Sequence, residues 1–532
     1  MRRWNGWGHT QTDYPLPEEG AQFLREHIGD STPAPEVSAE QAQAEAPPGR
    51  LDYPGQETDP LKRIRHAHGE SYPDWLALKH GRWLPLPDAV VYPESHEDVR
   101  RLLDRALREG TQVLPYGGGT SVCGHLRITD TDRPALCVDL SRMNQLLAFE
   151  PRSRLARFGA GTPGPQLEAQ LQAQGYTLGH YPQSFEYSTV GGWVVTRSSG
   201  QQSLRYGRIE QLFAGGRMAT PVGDWEIPTI PASSAGPDLR EQMLGSEGRA
   251  GILTEATMRV RPVAEQEHFH ALFYPDWASA SEAARALTQA GLPLSMLRLS
   301  NALETRTQLA LAGKPAQIAW LQRYLRLRGA GGEGQCLMFV GVTGTRTQCR
   351  RLLGDTLSLA RRHGAVHVGR GIGRGWAKNR FHGPYLRNTL WAQGYGADTC
   401  ETSVDWPRVT PMMEAIEQAA REAFAGFGER VHAFTHLSHV YGQGSSVYST
   451  FVFRATPEYD ENLARWQALK TQVSEAIVGL GGTISHQHGV GKDHAPWLQA
   501  EKGALGLAAI RHNLKAFDPQ GLMTPGTLVA DD

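Results

Sequence analysis

One stretch of the chain constrains its fold more than any other: residues 87–121, "PDAVVYPESHEDVRRLLDRALREGTQVLPYGGGTS". Ala89–Tyr92 is a short apolar run typical of a strand, and apolar residues then recur at helical spacing. Ser95, followed three residues later by Asp98, is typical of a helix start, and Gly110 is typical of a helix end. A second strand-like run leads into three consecutive glycines. Strand, helix, strand and glycine loop together predict the opening of an α/β nucleotide-binding unit.

Composition excludes several other classes of protein. The 532 residues carry a formal net charge of -1, so no basic excess exists to neutralise nucleic-acid phosphates. No run approaches the roughly 18 apolar residues of a membrane-spanning helix. The N-terminal "MRRWNGWGHTQTDYPLP" has no apolar h-region, so we expect no secretory signal. The 5 cysteines form no C-x-x-C pair, which favours a reducing compartment without a disulfide framework.

The composition and the hydrophobic pattern of the chain change at several points outside this stretch. Residues 33–49 are rich in Pro, Ala and Glu without a large apolar residue, which predicts a linker or mobile insertion. From His268 onward, long amphipathic helices such as Ser279–Ala290 and Arg346–His363 alternate with short strands, which predicts a second domain reaching to about residue 455. A further helix at Glu461–Gly479 precedes the segment "ISHQHGVG" near the C-terminus.

Three glycine-rich loops follow predicted strands or precede them. "PYGGGTSVCG" is neither a G-x-G-x-x-G fingerprint, because Val122 occupies the third position, nor a Walker loop, and an ordinary tight turn is an equal alternative. "YPQSFEYSTVGGWVVTRSSGQQSLRYG" offers the hydroxyls and backbone amides that suit a pyrophosphate and a ribitol chain. "GSEGRAGILTEA" is the third loop.

The three loops, spaced over about 135 residues, resemble the FAD-binding domain of the vanillyl-alcohol oxidase / p-cresol methylhydroxylase (PCMH) superfamily. The segments "RWNGWG", "STVGGWVVTRSSG", "SMLRLSN", "CETSVDWPRV", "SSVYSTFVF" and "GGTISHQHGVGK" are further similar to those of alkyldihydroxyacetonephosphate synthases, in the same order. These segments extend over nearly the whole chain, and taken together they are specific for that family.

The resemblance implies an α+β fold in four parts. We expect an N-terminal helical and linker region at 1–85, a two-subdomain PCMH-type FAD-binding domain at 86–265, an α/β cap domain at 266–455, and a C-terminal segment at 456–532 that returns to the flavin site. It also implies FAD bound without a covalent link, because Thr120 stands about where covalent relatives carry a histidine; His125 is a weaker attachment point. The expected FAD-binding residues are Pro115, Tyr116, Gly117, Gly118, Gly119, Thr120, Ser121, Gln183, Ser184, Phe185, Glu186, Tyr187, Ser188, Thr189, Thr196, Arg197, Ser198, Ser199, Glu247, Gly248, Arg249, Ala250, Gly251, Ile252 and Leu253.

The activity implied by the resemblance has no net redox change. In that family the acyl chain of acyl-dihydroxyacetone phosphate is exchanged for a fatty alcohol through an adduct on flavin N5, which gives an ether lipid precursor. The expected partners are therefore a phosphorylated dihydroxyacetone-type or lipid substrate and a second copy of the chain, with no nucleic acid. We expect a cytoplasmic protein, and the basic amphipathic stretch at 316–329 is either an ordinary surface helix or a contact with a membrane.

By the same resemblance, six residues are expected to be catalytic. Tyr448 is the acid/base, although a tyrosine in a strand is by default a core residue. Arg387 is expected to contact the phosphate. Arg298 matches an arginine that the family needs for activity. It is the stronger candidate of the two arginines, because an unpaired charge in its apolar surroundings would be costly. His486 and His488 match the first and third residues of the family's histidine triplet. Gln487 replaces the middle histidine, which leaves the substrate open because glutamine cannot supply charge to a phosphate.

Two other functions remain open from the sequence. A flavin-dependent 2-hydroxy-acid dehydrogenase of the same superfamily would carry a metal segment near "HVYGQGSSVY", but this chain has no aspartate there. A divalent site made from His436, His439, His486 and His488 lacks an acidic ligand nearby in sequence, so we predict no metal. A protein that binds flavin without catalysis is the third alternative, which the retained tyrosine, arginines and histidines disfavour.

Overall fold

Four helices precede the first strand in the computed structural model, which describes residues 2–530. They are α1 Glu18–Ile28, α2 Ala39–Glu45, α3 Pro60–His66 and α4 Tyr72–Lys79. The expected linker at 33–49 is wrong in its central part, because residues 39–45 form α2. Ser38 caps this helix by accepting a hydrogen bond from the Gln41 backbone amide at 3.2 Å. Ala42 is fully buried against Ile64 and Trp83, so small residues suffice to dock this helix.

The FAD-binding half contains three sheets. Its elements are β1 Ala89–Val91, α5 His96–Glu109, β2 Gln112–Tyr116, β3 Ala135–Asp139, β4 Leu146–Glu150, β5 Leu155–Gly159, α6 Gly164–Gln172, β6 Tyr176–Thr177, α7 Val190–Val195, α8 Ser203–Tyr206, α9 Ile209–Leu212, β7 Phe213–Thr220, β8 Gly223–Ile227, α10 Arg240–Met243, β9 Ile252–Arg259 and β10 Arg261–Pro262. A parallel sheet has the order β1-β3-β2, and an antiparallel sheet has the order β4-β5-β9-β7-β8. β6 pairs with β10. The predicted helix start is confirmed, since Ser95 and Asp98 form a reciprocal capping box, and Gly110 ends α5 in the left-handed conformation.

The cap half is built on one large sheet. Its elements are β11 Gln266–Tyr274, α11 Trp277–Gln289, β12 Met296–Ser300, α12 Ala302–Leu311, α13 Pro315–Leu327, β13 Cys336–Gly344, α14 Arg346–Arg361, β14 Val366–His367, α15 Gly371–Asn379, α16 Leu386–Ala392, β15 Tyr395–Asp405, α17 Trp406–Ala425, β16 Val431–Leu437 and β17 Gly444–Arg454. The seven strands are antiparallel in the order β14-β11-β13-β12-β16-β17-β15. α1 contacts α12 and β16, so the N-terminal region belongs to the wall of this half.

The C-terminal segment leaves the cap half and returns to the FAD-binding half. Its helices are α18 Tyr459–Gly479 and α19 Leu498–Phe517. After α19, the chain runs beside β2: the Val113 amide donates to the Leu522 carbonyl at 2.8 Å, and the Thr524 amide donates to the Val113 carbonyl at 3.0 Å. The segment 484–491 therefore lies between two anchored helices, close to the first glycine loop.

Each half has its own large hydrophobic core, and both cores consist of buried aliphatic and aromatic side chains from the sheet faces and the helices packed on them. The result is an α+β fold in which the two halves meet along loop ends rather than through a shared sheet. Among residues 2–530, the structure contains no helix whose length and apolar character would let it cross a bilayer.

Candidate active site

A cavity of about 580 Å³ extends along the contact between the two halves. Its walls come from the three glycine-rich loops of the FAD-binding half, from one face of the cap sheet, from α1 and α12, and from residues 487–488 of the C-terminal segment. We call it the main cavity. A volume of this size, with apolar walls and a few convergent polar groups, is typical of a cofactor and ligand site.

The first glycine loop has a backbone that only glycine permits. A Cβ atom on Gly118 would lie 2.0 Å from the Tyr187 carbonyl oxygen, and one on Gly117 would lie 2.4 Å from Thr189 Oγ1. Gly119 has a φ of 65°, in the left-handed region. The loop therefore packs against the second loop with no room for side chains, and it presents main-chain groups to the cavity. Such a cradle fits the pyrophosphate of a dinucleotide.

The second loop adds hydroxyls to the same wall. Thr189 caps α7 by accepting from the Gly192 amide at 3.3 Å, and a Cβ on Gly191 would lie 2.7 Å from Ala160 Cβ. Residues 196–199 follow α7 and contribute Thr196, Ser198 and Ser199 to the cavity wall. The chemistry of this donor set fits the FAD ribitol and flavin ring edge.

The third loop ties the FAD-binding half to the C-terminal segment through Glu247. This residue has a φ of 51°, and its carboxylate accepts hydrogen bonds from the amides of Val490 at 2.6 Å and Gly491 at 2.8 Å. His125 Nε2 lies 2.9 Å from Oε2 of the same carboxylate. Glu247 lines the main cavity, but its oxygens are used to hold residues 490–491 in place.

Most of the residues predicted to bind FAD line the main cavity. These are Pro115, Tyr116, Gly117, Gly118, Gly119, Thr120, Ser121, Gln183, Ser184, Ser188, Thr189, Thr196, Ser198, Ser199, Glu247, Gly248, Gly251 and Leu253.

Other predicted FAD-binding residues are not brought to the cavity wall, and their side chains pack elsewhere. Ala250 and Ile252 belong to the core of the FAD-binding half, and Phe185 stacks on Phe381. Tyr187 bonds to the Tyr385 hydroxyl, Arg249 donates to the Thr524 carbonyl, and Arg197 pairs with Glu241. Glu186 also lies outside the wall. A contact of these seven residues with FAD stays a prediction, and the structure places their side chains away from the cavity wall.

One face of the cap sheet supplies the other wall, and its residues fall into rows set by strand register. His436 on β16 is opposite Tyr448 on β17, which is opposite Glu401 on β15. We call these three residues the polar row. The next same-face positions along the strands are Phe434, Thr450 and Thr399, followed by His432, Val452 and Ala397. Register therefore places ionisable groups of three neighbouring strands side by side.

Tyr448, the central residue of the polar row, lies between His436 of the same row and His488 of the C-terminal segment. Its ring stacks on His436 with centroids 4.7 Å apart and an interplanar angle of 17°, and it meets His488 edge to face at 5.7 Å. Burial, reinforced by the negative charge of Glu401, raises the pKa of the Tyr448 phenol above its usual value. The phenol is therefore neutral near pH 7.

Arg298 is paired rather than free. Its Nη2 donates to Glu304 Oε1 at 2.6 Å and lies 3.2 Å from His436 Nδ1. Burial by itself would raise the pKa of Glu304, but the neighbouring His436 and Arg298 outweigh burial and lower that pKa to about 2. The Glu304 carboxylate holds both the arginine and the histidine at the cavity wall.

Arg387 lies at the other side of the cavity, next to the first glycine loop. Its Nη1 donates to the Glu70 carbonyl at 2.6 Å and lies 3.8 Å from Glu70 Oε2, and its guanidinium stacks on Trp75 at 4.5 Å. Burial raises the pKa of Glu70 to about 7, although the charge of Arg387 opposes this shift. A protonated Glu70 would leave Arg387 free to bind an anion.

The three residues 486–488 do not share one environment. Gln487 and His488 line the main cavity, whereas His486 does not. The structure thus does not bring His486 to the cavity wall, and its expected catalytic role stays a prediction. His486 Nε2 lies 2.6 Å from Arg208 Nη1 and 2.7 Å from the Tyr441 hydroxyl, and its Nδ1 lies 3.1 Å from Glu401 Oε1. It links the polar row to Arg208 behind the wall.

Glu401, His439 and His486 bring potential metal-binding atoms within 4.8 Å of one another. The hydrogen bonds oppose a metal ion at this position. Arg208 can only donate, so His486 Nε2 must accept and its proton must lie on Nδ1, where it is donated to Glu401. A protonated Nδ1 has no lone pair for a metal, and the adjacent guanidinium repels a cation.

An apolar extension of the main cavity leads away from the polar row. Its walls are aliphatic and aromatic residues of α1, α12, α16 and the cap sheet: Leu16, Gly20, Phe23, Leu24, Leu311, Leu386, Leu390, Phe434 and Val452. We call it the apolar arm. It begins beside the polar row and ends under α1, so one continuous cavity joins the glycine loops, the ionisable groups and a hydrocarbon-lined end.

The sequence did not reveal the carboxylates that pair with residues of other elements, nor the N-terminal residues that line the cavity. Glu401 and Glu70 have partners far away in sequence, His486 and Arg387. Glu304 lies six residues after its partner Arg298, but no local pattern marks this pair. The α1 residues were missed because residues 1–85 were assigned to a separate region. His436 and His439 were noticed only as part of a metal alternative.

Comparisons with known proteins agree with this geometry. A family model described as "FAD binding domain" matches residues 87–227, and one described as "FAD linked oxidases, C-terminal domain" matches residues 263–528, half of the chain. An alkyldihydroxyacetonephosphate synthase of Dictyostelium discoideum is 29% identical and covers 99% of this chain and 93% of its own length. That of Trypanosoma brucei brucei is also 29% identical, over 99% of this chain and 92% of its own.

A solved structure of an alkyldihydroxyacetonephosphate synthase superposes with a TM-score of 0.84 at 28% identity, and the match covers 98% of both chains. The predicted α+β fold, the PCMH-type superfamily and the FAD cofactor are thereby confirmed. With a C-terminal-domain model that spans half of its length and an FAD-binding model ahead of it, this chain belongs to the family of FAD-linked oxidases.

Proposed function

We propose that this FAD-dependent enzyme exchanges the acyl chain of an acyl-dihydroxyacetone phosphate for a fatty alcohol, as an alkyldihydroxyacetonephosphate synthase does. One observation carries the proposal: the apolar arm opens directly onto the polar row, inside the same cavity as the glycine loops. A dehydrogenase of small hydroxy acids needs no such hydrocarbon-lined extension. The names of the relatives agree with this function.

FAD is held without a covalent link in this proposal. Thr120 offers no nucleophilic ring nitrogen, and both ring nitrogens of His125 are already engaged, by Ser121 Oγ and by Glu247. When bound, FAD supplies an electron-accepting ring that can take up and return the substrate carbon without net oxidation. All other roles belong to the side chains of this chain.

Different residues of the cavity wall handle the phosphate and the proton. Arg387 is the cation for the phosphate, and Gln487 and His488 also line the cavity and can donate hydrogen bonds. Tyr448 exchanges a proton with the carbon beside the ketone. Since burial favours the neutral phenol, Tyr448 must first lose its own proton before it can remove one from this carbon, and it then returns that proton as the phenol. Arg298 acts through Glu304 and His436 rather than as a free cation.

The apolar arm holds the alkyl chains and excludes water. Helix α13 carries two exposed apolar side chains, Trp320 and Leu327, which are 73% and 79% exposed. The same helix carries Arg323 and Arg326. Exposed apolar side chains beside basic ones suit contact with an anionic membrane surface, from which an alkyl substrate would enter. A homodimer and a cytoplasmic, membrane-associated location stay predictions from the resemblance.

The function is tested with the purified protein and two substrate classes. We expect a yellow protein whose FAD is released on denaturation, and incorporation of labelled hexadecanol into alkyl-dihydroxyacetone phosphate from palmitoyl-dihydroxyacetone phosphate. Bleaching of the flavin by D-lactate or glycolate, with no alkyl product, would establish the dehydrogenase instead. A colourless protein that takes up no FAD contradicts both functions.

A further inference from the structure

His436 occupies the position where the apolar arm meets the polar row. Along β16, Phe434 and His432 lie at successive same-face positions deeper in the arm, while His436 is the first residue of that face on the flavin side. A chain that fills the arm places its polar head beside His436. The side chain is buried, with 8% of its surface exposed, and lines the cavity.

The contacts of His436 indicate which ring nitrogen is free. Its Nδ1 lies 3.1 Å from Glu304 Oε1 and 3.2 Å from Arg298 Nη2, which itself donates to the same Glu304 oxygen at 2.6 Å. Because Arg298 already donates to Glu304, and an ionised carboxylate can only accept, we assign the proton of His436 to Nδ1, which donates it to Glu304. Nε2 then keeps its lone pair, and among the described residues it has no hydrogen-bond partner. Nε2 is not a buried polar atom that lacks a partner, because His436 borders the cavity.

The surroundings keep this imidazole in its basic form. Burial, followed by the positive charge of Arg298, lowers the pKa of His436, and the carboxylates of Glu304 and Glu401 only partly oppose this. The Tyr448 ring stacked on it at 4.7 Å restricts the imidazole plane. A neutral, oriented imidazole with a free Nε2 is suited to accept a proton from a hydroxyl.

Two other cavity histidines, His432 and His439, are less suited to this role. His432 lies deeper in the arm, with Nε2 2.9 Å from Thr307 Oγ1. That hydroxyl already donates to the Leu303 carbonyl, so His432 Nε2 carries the proton. His439 has Nδ1 3.1 Å from Ser199 Oγ, and it faces Glu401 and His486 rather than the arm.

We propose that His436 is a catalytic residue, the general base that accepts the hydroxyl proton of the incoming fatty alcohol, and that Glu304 is its positioning residue. The proposal rests on the synthase function proposed above. As the alcohol oxygen bonds to the substrate carbon that carried the acyl group, its O–H bond breaks and the proton moves to Nε2. The departing carboxylate has kept the electron pair of the old C–O bond. It later takes up a proton as the fatty acid, so the exchange balances without an oxidant or reductant.

The test separates release of the acyl chain from uptake of the alcohol. Holoenzyme is mixed with palmitoyl-dihydroxyacetone phosphate, and palmitate release is measured in a single turnover without alcohol. Labelled hexadecanol is then added and ether formation is followed. We expect His436→Phe, which keeps the stack on Tyr448, to release palmitate within threefold of wild type. Ether formation should be slower by about 10²- to 10⁴-fold, and imidazole should restore part of the rate to His436→Ala.

Matched variants complete the design. His367→Asn, a histidine of the same sheet that does not line the main cavity, should leave both steps unchanged. Glu304→Gln should slow ether formation and alter its pH profile, whereas a merely structural role would leave the profile unchanged. Equal losses in both steps for His436→Phe, or no loss in ether formation, would overturn the inference. If wild-type enzyme releases no palmitate at all, the synthase function itself fails, and the inference fails with it.

Discussion

The two walls of the main cavity are built on different principles. The FAD-binding wall consists of loops whose backbone approaches the ligand because glycine leaves room, as at Gly118. The cap wall consists of side chains that strand register brings together, as in the polar row. A cofactor that is always present can be held by rigid main chain, whereas proton transfer needs ionisable groups whose surroundings set their pKa values. Changes to the first wall should remove the cofactor, and changes to the second should remove only chemistry.

The largest expected effect is on the backbone wall. Gly118→Val places a branched side chain where even a Cβ atom would lie 2.0 Å from the Tyr187 carbonyl, so the loop must move and FAD binding should be lost. The ratio of flavin absorbance to protein absorbance after gel filtration measures this. Gly354→Ala, on an exposed face of α14 with open space around it, is the matched control and should keep its full flavin content. A normal flavin content in Gly118→Val contradicts the proposed cradle.

The side-chain wall should respond in the opposite way. Tyr448→Phe removes the acid/base hydroxyl but preserves the ring between His436 and His488. Turnover should fall by about 10²- to 10⁴-fold while flavin content stays at the wild-type level. The control is Tyr274→Phe, at a buried tyrosine of the same sheet whose hydroxyl, among residues 2–530, bonds only to the Met338 sulfur; it should stay within twofold of wild type. Loss of FAD from Tyr448→Phe would erase the distinction between the two walls.

The same contrast explains what the sequence could predict. The glycine loops are local, so their residue types and spacing indicated a flavin site, and the capping box of α5 was visible at Ser95 and Asp98. The polar row depends on the pairing of β15, β16 and β17, and no local pattern encodes that register. Glu401 was missed for this reason. Tyr448 and the arginines came from the resemblance, and only the structure shows that Arg298 is neutralised by Glu304. α2 was missed because its small, polar residues resemble a linker.

The depth of the apolar arm allows a smaller, graded effect. Gly20 of α1 lies at its end, where a Cβ would meet Leu311 at 3.1 Å and Leu16 at 3.2 Å. Gly20→Leu should therefore shorten the arm and lower kcat/KM for hexadecanol relative to decanol by about tenfold, the scale of losing a methylene-sized space. Assays with alcohols of graded length measure the shift. Glu19→Leu, on the exposed side of the same helix turn, is the control, and an unchanged length preference in Gly20→Leu would show that the chain does not reach α1.

The smallest expected effect concerns stability at acid pH, to which buried histidines of both halves contribute. Burial lowers the pKa of His180, in the FAD-binding half, to about 3 and that of His270, in the cap half, to about 4. The unfolded chain therefore binds more protons than the folded one between these values and about 6.5, and the free energy of unfolding rises with pH across this window. Each such histidine contributes a slope of about 1.4 kcal/mol per pH unit. Stability is fully retained above about pH 6.5 and lost as the pH falls.

Urea midpoints measured at several pH values test this expectation. They should depend less steeply on pH in both His180→Gln and His270→Gln, but not in the exposed His512→Gln. Slopes that match wild type in both buried variants would mean that these imidazoles are protonated in the folded chain.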